Sequence, residues 1–547
     1  MDFQRLILFV IFTFSSFQLW NAWQRYQHPE QFPVAAQVSS GTAGVPQAPH
    51  SWNTSTAGSS AGALTFPVGQ QAVIDTDELH VVIDANGGDL RQLDLVHYVD
   101  PADKKQMFHI LQQQPDHLFV AQSGLIGADL PSHKAIFHLQ PGQYHLNPGQ
   151  NTLTIPLQWT SPDGQLTVTK QYVFHRGSYL IDVNWQVSNH GQTSIPVDAY
   201  YQFVRDGKKP ETASRMIHTF TGPALYTTSS KFVKIDFHKL DKHEAEFPHQ
   251  ADNGWMAMVQ HHFVSVWLPA NGKPREFFAR ALGEGLYSAG LILPQGQLAA
   301  GKELQFSMPL YVGPQIQSVL TALAPGLDYV IDYGWLTPIA VPIFWLLQHI
   351  HALVGNWGWA IVILTISIKL LFFPLSAKSY RSMAQMRGLS PKLQKLKEQF
   401  GDDREKLHLA MMDLYKTEKV NPLGGCLPTV VQIPVFIALY WTLVGSVEMR
   451  QAPFIGWIHD LSAPDPFYVL PIIMGLTMIL QSRLNPTPPD PMQAKVMMIM
   501  PVVFSVFFLF FPAGLVLYWV VNNLMSIGQQ WVITRRFEAA KGASRAG

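Results

Sequence analysis

Hydrophobic positions divide this chain into three regimes. An apolar run, Leu6 to Trp23, precedes a polar stretch; residues 75–318 alternate apolar and polar positions; from Asp332 onward apolar segments follow one another between charged ones. Alternation with period two sends successive side chains to opposite faces of a strand, one buried and one wet. Ile181, Val183, Trp185 and Val187 form such an inward row, with Asp182, Asn184, Gln186 and Ser188 outward. Asp163-Gly164 separates Leu157-Gln-Trp159 from Leu166-Thr-Val-Thr-Lys-Gln-Tyr172, and Asn86-Gly87-Gly88 follows another strand; both read as hairpin turns. The middle of the chain is expected to be one large β-sandwich.

Leu6 to Trp23 follows Arg5, is long enough to span with its flanks and has no small-residue cleavage site close behind it, which predicts an uncleaved signal anchor over residues 1–26. Five further apolar segments lie near 357–375, 426–447, 467–484, 496–511 and 513–533, the last four grouped as 425–533. The expected fold is thus a polytopic α-helical membrane protein with six transmembrane helices, five of them in a core bundle, plus the β domain. Asp332–Ile350, within residues 319–356, is apolar and aromatic but carries Pro338 and Pro342, and reads as interfacial. Pro434, Pro471 and Pro501 interrupt three spans and predict irregular packing. Residues 376–424 read as a helical hairpin. Ser390-Pro391 starts one helix, Gly401 breaks it, and Asp402-Asp403 opens a second with Leu407, Met411 and Leu414 on one face.

Charge orients these segments. Lys plus Arg and Asp plus Glu number 38 each, so no global basic field points to nucleic acid, and no specific DNA partner is expected. Locally, Ser376–Asn421 carries ten Lys/Arg against six Asp/Glu, and the tail 534–547 is basic, which places both in the cytosol. Glu448–Pro466 has Arg450 as its one basic residue and suits the opposite face, which puts both termini in the cytosol and the β domain outside. Lys392, Lys395, Lys397, Arg404 and Lys406, with Arg535 and Arg536, are candidates to meet anionic lipid or ribosomal RNA; a solvated hairpin that only obeys the positive-inside rule is the alternative.

Residues 27–74 read as a flexible tether, since Gln31–Ile74 holds no Asp, Glu, Lys or Arg. Gly58-Ser59-Ser60-Ala61-Gly62 matches the pattern of serine hydrolases by accident, because a linker has neither the strand nor the helix that strains the serine. One cysteine, Cys426, excludes an intramolecular disulfide, and the histidines, among them His238, His243, His249, His261 and His262, have no metal-ligand spacing. No nucleotide or zinc-protease fingerprint appears, so no enzyme activity, metal or cofactor is expected.

Lys369 is the most informative residue. It lies inside Trp357–Leu375, where an ammonium costs roughly 2.5 to 3.5 kcal/mol at the centre of a span. Such a charge asks for water or a partner, unless its stem snorkels toward the headgroups. Thr365 shares its helix face, and Gln432, Thr442, Thr477, Gln481, Ser505, Asn522, Asn523 and Gln529 add polarity to the other spans. With no Asp or Glu in these spans, a hydrated pocket is expected, against interhelical hydrogen bonding alone. A transporter or channel also explains intramembrane charge but predicts a repeated half, and none is visible. A membrane-anchored periplasmic carbohydrate enzyme or carbohydrate-binding protein is the other alternative, and it leaves the later spans unexplained.

Lys419-Val-Asn-Pro-Leu-Gly-Gly-Cys426, Gln432-Ile-Pro-Val-Phe436, Gly445–Pro453, Trp457-Ile-His-Asp-Leu-Ser462 and Phe511–Asn522, with the opening Met1-Asp-Phe-Gln-Arg5, resemble the YidC membrane protein insertases over essentially the whole chain. The resemblance implies an inner-membrane insertase and chaperone with a five-helix core around a hydrophilic groove, a periplasmic β super-sandwich and a cytosolic hairpin that recruits substrate. It implies nascent inner-membrane proteins, the Sec translocon, translating ribosomes and membrane lipids as partners. Lys369 stands where the family usually has arginine, which keeps the charge but loses the bidentate fork. Tyr518-Trp519 stands where the family has paired tyrosines. The groove is expected to use Lys369, Thr365, Gln432, Tyr518, Trp519 and Asn522, with Phe436 and Met500 as apolar contacts.

Overall fold

The structure is a computed structural model that describes residues 66–100, 103, 105–115, 117–208, 220–400, 403–418, 420, 427–484 and 491–546. The Leu6–Trp23 anchor, the tether before Phe66 with its accidental serine motif, Gly401 and Cys426 lie outside these residues. The chain forms two compact units, with the division at Gly313 and with His261–Phe263 assigned to the second.

The first unit holds a ten-stranded and a nine-stranded sheet among the described residues. The strand Leu180–Asn189 alternates as its sequence requires, with Ile181, Val183, Trp185 and Val187 buried. The turn before Leu166 closes at Gly164, φ 74°, with the Gly164 amide donating to Ser161 O at 2.9 Å. Gly87 and Gly88 take φ values of 80° and 56° between the strands Leu79–Asp84 and Asp89–Val99. A Cβ on Gly87 would lie 2.4 Å from His133 O, so the turn demands glycine for space as well as for φ.

Those glycines serve a second purpose. Lys170 sits on the inward row of its strand and is fully buried; its ammonium donates to Gly88 O at 2.7 Å and to Gly87 O and Ser123 O at 3.3 Å. Three carbonyls and the faces of Tyr172 and Trp185 replace its water shell. The last residues of the expected tether belong to the sheet. Gln71–Asp75 is a strand paired with Leu79–Asp84 and with Gly142–His145, because Ala72 and Ile74 are apolar at period two and bury completely.

The second unit is helical. We label α1 Thr337–Val354, α2 Trp357–Leu371, α3 Phe373–Phe400, α4 Arg404–Thr417, α5 Leu427–Gly445, α6 Val469–Leu484, α7 Pro491–Phe507 and α8 Ala513–Ala546. Several prolines lie within continuous helices. Pro338 lies in the first turn of α1 and Pro471 in that of α6, where the missing N–H has no intrahelical partner to lose. Pro342, Pro434, Pro501 and Pro391 lie inside α1, α5, α7 and α3, so Ser390-Pro391 starts no new helix. A break does occur at Phe372: α2 and the first part of α3 are bent by 66°. Asp403 caps α4 by accepting from the Lys406 amide at 3.1 Å. α8 runs on through the basic tail that the sequence reading set apart.

Among the described residues α1 is the one single helix long and apolar enough to cross a membrane, the bent α2–α3 pair is so only when taken together, and α5, α6 and α7 contribute shorter apolar helices. The common core of this unit joins Leu364 and Ile368 of α2, Leu439 and Leu443 of α5, Met474 of α6, and Leu515 and Val516 of α8. α6 begins firmly: buried Asp465 accepts from the amides of Phe467 and Leu470 at 3.0 and 2.8 Å and from Trp457 Nε1 at 3.0 Å.

Candidate substrate groove

Asn356 starts α2 by accepting from the Trp359 amide at 3.1 Å, while its own amide nitrogen donates to Pro453 O and Phe454 O. Two residues on, a Cβ at Gly358 would meet the Phe454 ring at 2.0 Å, so glycine lets this end of α2 close against the following loop. These contacts fix the rotation of α2 and hence the direction of Lys369, three turns further along.

Lys369 is 5% exposed. Its Nζ donates to Ser526 Oγ on α8 at 2.8 Å and to Gln432 Oε1 on α5 at 3.3 Å. Gln432 Nε2 in turn donates to Asn522 Oδ1 at 2.9 Å, and the Ser526 hydroxyl donates to Asn522 O at 2.8 Å. Gln529 Nε2 reaches the Lys369 carbonyl at 3.4 Å. An ammonium can only donate, so it orients the whole set: the Gln432 oxygen faces Lys369 and the nitrogen faces Asn522. Three helices are joined by one charge and neutral acceptors, and among the described residues no carboxylate pairs with it.

An aromatic group adjoins this polar one. Phe436, one turn along α5 from Gln432, stacks on Tyr518 at 6.0 Å and 22° and meets Trp519 edge-on at 4.9 Å. Tyr518 is buried and Trp519 and Asn522 are half-buried. The structure therefore brings together Lys369, Gln432, Phe436, Tyr518, Trp519 and Asn522. It separates two others. Thr365 is buried with its hydroxyl donated to Ile361 O of its own helix at 2.7 Å. Met500 faces outward on α7, 44% exposed, beside exposed Ile499 and Val503. Thr442 likewise bonds Ala438 O on its own helix, and Asn523 pairs with Thr477 at 3.2 Å. The polarity of the spans is thus only partly convergent. Ser526, which the sequence did not single out, is the residue that joins α8 to the Lys369 ammonium.

On the cytosol-assigned elements, Lys392 of α3 pairs with Glu418 just past α4, Lys406 with Asp403 at 3.0 Å, and the Arg535 guanidinium covers the Trp531 ring at 4.3 Å. Lys395, Lys397 and Arg536 are exposed. In the first unit, a depression of about 320 Å³ is lined by Thr169, Gln171, Asn184, Gln186, Gln305 and Ser307 with aromatic neighbours and no carboxylate, so it lacks the acid pair of a carbohydrate hydrolase. Among the described residues no group of three His, Cys, Asp or Glu is arranged to hold a metal.

Two family models cover most of the chain: the 60Kd inner membrane protein model matches residues 349–541 and the YidC periplasmic domain model residues 71–346. A membrane protein insertase YidC from Thiobacillus denitrificans is 54% identical, over 99% of this chain and 98% of the relative. The chain belongs to the YidC family. A YidC from Aromatoleum aromaticum is 51% identical over the full length of both chains. Among solved structures, a crystal structure of an active YidC insertase with its first transmembrane domain resolved is similar over 85% of this chain and 93% of that one, at 17% identity and a TM-score of 0.39. The two matched YidC regions meet between residues 346 and 349, within α1, and the groove residues all fall in the second.

Proposed function

We propose that this protein inserts inner-membrane proteins and helps them fold, alone or with the Sec translocon, through the groove around Lys369. The observation that carries this reading is the placement of a buried ammonium where α2, α5 and α8 meet, held by neutral oxygens and bordered by the Phe436–Tyr518–Trp519 cluster. A short polar tail of a substrate enters the groove and is attracted if acidic, while its apolar segment slides past the aromatic side into lipid. Polar groups in the groove lower the cost of taking the tail out of water, and the attraction grows as the local dielectric falls.

The relatives' name, membrane protein insertase, supports the same activity, as does full-length similarity at about half identity. In the topology we favour, the N-terminal apolar run, the bent α2–α3 pair, α5, α6, α7 and α8 make six spans with both termini cytosolic and the β domain periplasmic. α1 lies in the interface, where exposed Trp345, its ring tilted against that of His349 at 4.0 Å, suits the headgroup level. The α3–α4 hairpin and the basic end of α8 meet ribosomes and anionic lipid. A transporter fits less well, since the charge is held by groups of three unlike helices with no repeated half.

Site-specific crosslinking of ribosome-arrested nascent membrane proteins tests this. Probes at Gln432, Phe436 and Tyr518 are expected to capture the arriving chain, and a probe at exposed Ile136 of the β domain is not. Capture at all positions alike, or at none of the groove positions, would count against the assignment.

A further inference from the structure

The geometry points to Ser526 as a positioning residue that holds the Lys369 ammonium inside the bundle and so sets the preference of the groove for acidic substrate segments. This inference rests on the groove reading above and deepens it. An ammonium has three N–H donors. Among the described residues it has two acceptors, Ser526 Oγ at 2.8 Å and Gln432 Oε1 at 3.3 Å, which leaves one donor for an incoming group.

Ser526 is the stronger of the two holds, and its own helix prepares it. The hydroxyl proton is committed to Asn522 O, four residues earlier at 2.8 Å, so an oxygen lone pair is presented to the ammonium. The hydroxyl also faces Tyr380, on the far side of the α2–α3 bend. Ser526 is 3% exposed, so its own accessible surface offers substrate almost nothing. Its effect passes through Lys369. Without it, the four-carbon stem is free to carry the charge toward the nearest water, away from the aromatic border where a substrate segment passes. With it, the remaining N–H makes a one-point contact that suits a single carboxylate, and not the two-point contact an arginine would offer.

The test uses the full-length protein in cells depleted of their own insertase, with one substrate carrying an acidic, neutral or basic translocated tail and insertion normalised to insertase abundance. Ser526→Ala is expected to lower the acidic-to-neutral insertion ratio by roughly tenfold, the lower end of the scale of a lost hydrogen bond to a charge. Ser526→Thr keeps both the carbonyl bond and the oxygen, and is expected to restore the ratio. In a Lys369→Gln background, Ser526→Ala is expected to have no further effect on the ratio, because the two act as a unit. If Lys369→Gln lowers the ratio and Ser526→Ala does not, Ser526 has no positioning role although the groove charge still acts. If Ser526→Ala lowers insertion of all tails alike, its role is structural packing and the proposal fails. If neither variant changes the ratio, the electrostatic groove reading fails and this inference falls with it.

Discussion

Lys369 and Gln432 face each other across two helices at 3.3 Å, and among the described residues no acid completes the pair. A buried charge satisfied by neutral groups is tolerated because each acceptor is itself fixed, Gln432 by Asn522 and Ser526 by its helix. Reversing the charge removes both bonds that the ammonium donates: a carboxylate at this position has no proton to give the Gln432 oxygen and can only accept from Ser526. Lys369→Glu is expected to impair acidic-tailed substrates most, by ten-fold or more if the net coupling is about 1.4 kcal/mol, while Lys369→Arg retains insertion. Quantitative insertion of acidic and basic tails checks this. A snorkelling lysine predicts that Glu acts without regard to tail charge, and that result would remove the electrostatic role.

Asp465 is the buried start of α6, receiving two amides and one indole N–H. Removing its carboxylate strands three donors at once. Asp465→Ala is expected to destabilise the bundle by roughly 2–3 kcal/mol, above an ordinary cap because Trp457 also loses its partner. Asp465→Asn keeps one acceptor oxygen and is expected to cost about half as much. Thermal unfolding of the purified full-length variants, followed by tryptophan fluorescence, measures both. Equal midpoints for wild type and Asp465→Ala would show that the cap is replaceable by the neighbouring loop.

The two kinds of architecture were legible in the sequence for different reasons. Period-two alternation survives in three dimensions because a strand such as Leu180–Asn189 keeps its register, so its buried row could be read directly. Lys369 stood out because charge in an apolar run is costly wherever the run folds. Ser526 carried no such signal: a hydroxyl in a helix ordinarily bonds a carbonyl of its own turn, as Thr365 and Thr442 do here, and only the tertiary approach of α2 brings the Lys369 ammonium to it. Met500 lies apart from the Lys369 cluster, and the sequence carried no sign of this for a related reason. α7 is apolar on every side, so periodicity cannot tell its packed face from its outward one. Pro391 was overread as a helix start, since a lone missing hydrogen bond leaves a helix intact.

His133 gives the β domain a pH dependence of known sign. Its backbone amide donates to Tyr200 Oη at 2.8 Å, and the Tyr200 hydroxyl, 2.6 Å from Nδ1, donates to that ring nitrogen. A protonated Nδ1 cannot accept. Burial, then the positive charges of Lys134, Arg91, Lys170 and Arg280, push His133 from 6.5 down to about 3. The unfolded chain binds the proton first, so the stabilisation is complete above 6.5 and is lost as pH falls toward 3. His109 works in the opposite sense: its hydrogen bond to Asp94 raises it, so its contribution is complete below 6.5 and is lost as pH rises through its folded value. Hydrogen exchange of the strand containing Tyr200, corrected for intrinsic rates, is expected to quicken between about pH 7 and pH 5 in wild type and less so in His133→Gln. Identical pH slopes in the two proteins would contradict the assignment.

In the proposed function the hairpin acts before insertion. Lys392 is tied to Glu418, which holds α3 and the end of α4 together, while Lys395, Lys397 and Arg536 remain exposed on elements assigned to the cytosol. Positive side chains that meet nucleic acid release counterions, so their contribution falls with salt; about six phosphate contacts lose on the order of a thousandfold in affinity between about 50 and 200 mM. Deleting residues 392–419 is expected to leave the α2, α5, α6 and α8 core folded, since that core draws on none of the deleted side chains. Substrate capture is expected to slow, and ribosome binding to weaken and lose most of its salt dependence. Glu418→Lys offers a gentler test, because it breaks the tie without removing a helix: if pinning α3 to α4 matters, it slows capture despite adding positive charge, whereas if charge alone matters it strengthens binding. Sedimentation of ribosomes with the detergent-solubilised proteins at low and high salt separates these outcomes, and binding insensitive to both the deletion and ionic strength would remove the hairpin from recruitment.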